Sequence, residues 1–79
     1  MYTLPFSKAF DAPIGATIEY VGMAKWLYRS PGANEVKTFF DNQPNSYARD
    51  VGGMTGSKWT VTRIEARSSD EFLVTFDPV

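Results

Sequence analysis

The sequence predicts a mainly β fold, a small antiparallel sheet or partly open barrel built from hairpins. Three observations carry that prediction. Residues 58–76 hold apolar side chains at alternating positions, two aromatic-rich runs flank the turn-forming string Ser30–Asn34, and six glycines and five prolines are scattered through 79 residues. Alternation with period two marks strands, and Gly/Pro punctuation marks the turns between them.

The first sixteen residues alternate rings with breakers: Tyr2, Pro5, Phe6, Phe10, Pro13 and Gly15. Each proline fixes φ and lacks an amide hydrogen, so residues 1–16 read as an N-terminal arm or edge strand pinned by Phe6 and Phe10. Ile18 and Tyr20 then form a short strand ending at Gly22. Ala24, Trp26 and Tyr28 alternate toward the turn residues of Ser30–Asn34, and Val36, Thr38 and Phe40 alternate on the return, which predicts a hairpin. An α+β alternative stands beside this reading. Ile18, Val21 and Ala24 recur at threes, as do Val36 and Phe39 after a capping Asn34, so a short helix in 17–29 or 34–42 competes with the strands. Gly22 and the β-branched Thr17, Ile18 and Val21 weigh against the first helix.

Residues 41–57 hold three glycines and a proline without sustained periodicity, and read as a flexible loop. The last 22 residues form the clearest element. With Ser68–Asp70 as a three-residue hairpin loop, Ala66 faces Phe72, Ile64 faces Val74 and Arg67 sits opposite Glu71. Trp59 and Val61 have the opposite parity from Ile64 and Ala66. Either a bulge near Thr62 and Arg63 restores the face, or both faces of this strand are covered.

One domain accounts for residues 1–79, and a chain this short buries only about 60% of its unfolded surface. Disulfides and the usual zinc or haem ligands are excluded together, because the chain has neither cysteine nor histidine. Self-association or docking on a larger protein is therefore the expected support. Eight basic and nine acidic side chains give a formal charge of −1, unlike a DNA-compacting protein or a DNA mimic. No apolar run reaches the roughly 18 residues of a membrane span, and the N-terminus lacks the pattern of a secretory signal. A soluble protein made in the cytoplasm is expected.

Chemical motifs are scarce. The string GGMTGSK resembles a phosphate-binding loop, but Ser57 precedes Lys58 and a strand-forming segment follows, so it reads as a lead-in to a strand. Asp41, Asn42, Asn45 and Asp50 lack the offsets of a calcium loop and read as turn-formers. Without histidine, cysteine or a pair of carboxylates gathered in a pocket, acid–base and covalent catalysis have no candidate residues, and no cofactor or metal is expected. What remains is the interleaving of cations and rings in Lys25–Arg29 and Lys58–Arg63. Trp, Tyr and Arg dominate protein interfaces, which makes Trp26, Tyr28, Trp59 and Arg63 the candidate partner-binding residues, with core packing as the competing role for the rings. The same interleaving also suits single-stranded nucleic acid.

The segments YVGMA (Tyr20–Ala24) and KWTVTRIEA (Lys58–Ala66) together resemble small β modules of tailed-bacteriophage virion-associated proteins. The resemblance rests on Tyr20, Gly22, Ala24, Trp59, Val61, Arg63 and Ile64. It departs in spacing, since a short turn usually joins the two segments and residues 25–57 separate them here. It implies a non-catalytic assembly module, a phage-encoded virion or accessory protein located in the host cytoplasm or incorporated in the virion, and it implies that the two segments pair in space. A small single-stranded nucleic-acid-binding barrel and an inhibitor of a host or defence enzyme are the alternatives.

Overall fold

Strong alternation at the C-terminus produces the longest strands. In the computed structural model, which describes residues 1–41 and 58–79, β5 (Lys58–Ser68) and β6 (Glu71–Pro78) form a hairpin. Its pairs include Ile64 with Val74 and Ala66 with Phe72, as expected. The turn is tighter than the sequence suggests. Ser68 rather than Arg67 lies opposite Glu71, so two residues, Ser69 and Asp70, make the connection and an irregularity between Ala66 and Ser68 absorbs the extra residue. Arg67 still reaches Glu71 through an ion pair of 3.4 Å. The parity conflict within β5 is resolved by a bulge, because the register shifts between Val61 and Arg63. Trp59 and Val61 point inward before it, half-buried Ile64 packs against the same core after it, and no second covered face is needed. Thr62, the extra residue, donates its hydroxyl to the Thr75 carbonyl at 3.2 Å.

Four further strands complete the sheet: β1 (Tyr2–Ser7), β2 (Thr17–Gly22), β3 (Lys25–Arg29) and β4 (Lys37–Phe40). Their order is β1-β6-β5-β2-β3-β4, and every neighbouring pair is antiparallel. No helix occurs among the described residues. The helix considered for 17–29 is replaced by β2, a turn and β3; the one considered for 34–42 is replaced, over its described residues, by β4. Of the expected 41–57 loop, residues 42–57 lie outside the described residues. The YVGMA and KWTVTRIEA segments, expected to pair, do not pair with each other, although the first begins on β2 and the second lies on its neighbour β5. The ladder between β2 and β5 runs through Thr17–Glu19 and Lys58–Thr60, while Tyr20 and Gly22 pair with β3.

The second hairpin decides a point that the alternation left open. Trp26 pairs with Phe39, so Phe39 points inward and is 5% exposed, whereas Val36, Thr38 and Phe40 share the outer face. Adjacent phenylalanines at 39 and 40 satisfy either parity, and cross-strand stacking on Trp26 selects Phe39: the two rings lie parallel with centroids 6.1 Å apart.

The sheet coils into a partly open barrel. Phe6 on β1 is fully buried and touches Phe10, Trp26, Phe39 and Phe76, reaching rings on strands at the other end of the sheet order. The two edge strands meet where the Asp41 carboxylate accepts hydrogen bonds from the Ser7 amide and hydroxyl, both at 2.8 Å. Asp41 itself is buried, and its amide donates to the Ala24 carbonyl at 2.8 Å. Pro5 is tolerated because β1 is an edge strand with one side free of ladder bonds. At the mouth near β2, Gly15 adopts φ +90°, and a Cβ there would stand 2.9 Å from the Pro31 ring.

Candidate interaction surface

The four residues singled out by aromatic–cation interleaving divide sharply. Trp26, Tyr28 and Trp59 are buried, at 2%, 4% and 8% exposure, and belong to the core. Trp26 packs on Phe39, Phe6 and Tyr20, and Trp59 packs edge-on to Phe76 and Tyr2. The Tyr28 hydroxyl donates to the carboxylate of exposed Asp11 at 3.0 Å. Burial, and then the bond to Asp11 with its negative charge, raises the Tyr28 pKa above the ordinary 10.0. Only Arg63 lies outside, on the far side of the bulge, where it pairs with Glu65 at 3.3 Å. The structure therefore does not bring these four together on a surface.

The large apolar groups left outside lie elsewhere. Phe40 is 62% exposed and Val36 47%. Cross-strand pairs share a face, so the registers of β5, β2, β3 and β4 map the outer surface around them. One row runs Lys58, Glu19, Leu27, Thr38. The next runs Thr60, Thr17, Arg29, with Val36 continuing from the adjoining Tyr28–Lys37 pair. Lys25 opposite Phe40 lies on the other side of the first row. Thr17, Glu19, Leu27, Arg29, Val36 and Lys58 border a shallow cavity of about 150 Å³. Sequence reasoning missed this surface because its candidates were chosen for aromatic–cation interleaving, and the alternation of Val36, Thr38 and Phe40 does not by itself say which face meets water. The available signal was the Phe39–Phe40 doublet, one ring of which had to face water.

Other chemistry is sparse among the described residues. No group of three or more carboxylates or other ligating side chains is placed to hold a metal ion, and no helix is long and apolar enough to cross a membrane. The Trp26 indole N–H is buried without a hydrogen-bond partner. No family model, curated protein or solved structure matches the chain.

Proposed function

We propose that this chain is a non-catalytic protein-binding or assembly module that works through the outer face of β2, β3 and β4. One observation carries the reading: Phe40 and Val36 stand largely in water on that face, with half-buried Leu27 between them, although most rings among the described residues are buried in the core. Exposed apolar clusters with a polar rim mark sites that a partner covers. The resemblance of Tyr20–Ala24 and Lys58–Ala66 to virion-associated phage modules supports a virion or accessory role of this kind, in the host cytoplasm or the virion. A stacking surface for single-stranded nucleic acid is less well supported, because Trp26, Tyr28 and Trp59 are enclosed.

Light scattering after gel filtration tests the reading. Self-association, or a stable complex with a larger protein, is expected to raise the mass above 8.8 kDa and to be lost in Phe40→Ser. A monodisperse monomer at high micromolar concentration that forms no complex would overturn it.

A further inference from the structure

We infer that the shallow cavity beside β3 is a seat for an acidic, aliphatic-bearing segment of a partner protein, an inference that rests on the protein-binding reading above. Its size selects the class of occupant. At about 150 Å³ it falls well below the roughly 300–1,000 Å³ of small-molecule pockets and suits a single projecting side chain. Its chemistry selects the character of that side chain and its neighbours. Leu27 and Val36 offer the apolar contact, and three cations, Lys25, Arg29 and Lys58, stand on the same face against Glu19, while Asp77, beyond Thr60 in the next row, is paired with the N-terminal ammonium at 3.4 Å. The face is thus positive in a chain whose formal charge is −1. On the β5–β6 hairpin, by contrast, Arg63 and Arg67 are paired with Glu65 and Glu71.

Among the described residues no ion pair involves Lys25, Arg29 or Lys58. Complementary charge across an interface sets register and speeds encounter, so a partner with carboxylates flanking an aliphatic side chain matches this face. The Arg29 guanidinium can grip a carboxylate with two parallel N–H bonds, and the two lysines act as point charges on either side. Glu19 and Thr17 remain to accept an amide or hydroxyl proton of the bound segment, which keeps the site from being a plain anion trap.

The test is a display selection of random dodecapeptides on the full chain, followed by anisotropy titrations of the enriched peptides at low and high salt. Enriched sequences are expected to place Asp or Glu beside Leu, Ile, Val or Met. Their affinity is expected to fall at least about tenfold in Arg29→Glu/Lys58→Glu and in high salt, and to be unchanged in Arg67→Glu. Thermal midpoints confirm that the variants fold; if the double reversal does not, Arg29→Gln/Lys58→Gln is used and a smaller loss in the same direction is expected. Peptides without acidic bias, or acidic peptides indifferent to both reversals, would overturn the seat while leaving the protein-binding reading intact. An oligonucleotide that displaces the peptides from Arg29 and Lys58 would assign the cations to phosphate and also overturn it. Failure to enrich any peptide overturns the seat; combined with a monomer in light scattering, it removes the protein-binding reading as well.

Discussion

Phe6 illustrates what single residues do in a domain this small. It has no exposed surface and lies against four other rings, so Phe6→Ala removes apolar burial and leaves a cavity among groups that cannot collapse together. A loss of about 3–5 kcal/mol is expected, comparable with the whole stability of a marginal domain. Urea denaturation should show the variant largely unfolded, and a midpoint near that of the parent would contradict the central role of this ring. Tyr28 carries a pH dependence of defined sign. Its folded pKa lies above the unfolded value, because burial and Asp11 favour the neutral phenol. The contribution of Tyr28 is therefore complete below about pH 10 and declines as pH rises from the unfolded pKa through the higher folded one. Comparing alkaline unfolding of the parent with Tyr28→Phe checks this: the variant should lose less stability above pH 10, and identical curves would remove the assignment.

At the scale of elements, hairpins show both what local pattern reveals and where it stops. The pairs Ile64–Val74 and Ala66–Phe72 were legible, because long alternating strands admit few registers that bury one face, and the bulge at Thr62 was one of the two readings that the parity of Trp59 and Ile64 left open. The return strand β4 was not legible, because four residues with apolar side chains on both parities leave the face to be chosen by Trp26 across the ladder. The tight link between β2 and β3 was also unforeseen. Met23 and Ala24 sit between the Gly22–Lys25 pair with φ of 53° and 64°, the left-handed pair of values a two-residue hairpin turn demands. Methionine and alanine are poor residues for that conformation, and 94%-exposed Met23 gains nothing from packing. Met23→Asn is expected to raise stability by about 1 kcal/mol, read as a higher thermal midpoint. A lower midpoint would mean that the Met23 side chain has a stabilising contact. Asp41 joins elements instead of forming one. Read from sequence as a turn-former, it bridges β1 to the end of β4 through Ser7, a contact between residues far apart that no local pattern encodes. Asp41→Ala leaves the half-buried Ser7 donors without their acceptor, at an expected cost of about 2 kcal/mol, whereas Asp70→Ala at the exposed β5–β6 turn should cost almost nothing.

The candidate site becomes intelligible only for the molecule as a whole. Rings interleaved with cations looked like a display surface, yet a barrel of this size needs Trp26, Tyr28 and Trp59 to fill its interior, and their alternation with Lys25, Arg29 and Lys58 puts cations outside as a consequence. That leaves a face defined by three-dimensional neighbours: charges from three separate strands around Leu27, Val36 and Phe40. If this face is covered by a second copy or a partner, stability must be linked to concentration, since whatever binds the folded state alone stabilises it by mass action. The thermal midpoint of the parent chain should then rise with its own concentration, or on addition of the partner. Phe40→Ser should abolish that rise while leaving the midpoint at low concentration close to the parent's, because Phe40 is 62% exposed in the isolated fold and contributes little to its core. A midpoint that drops equally at all concentrations would identify Phe40 as a structural residue. A parent midpoint independent of both concentration and partner would leave the exposed face without a covering species.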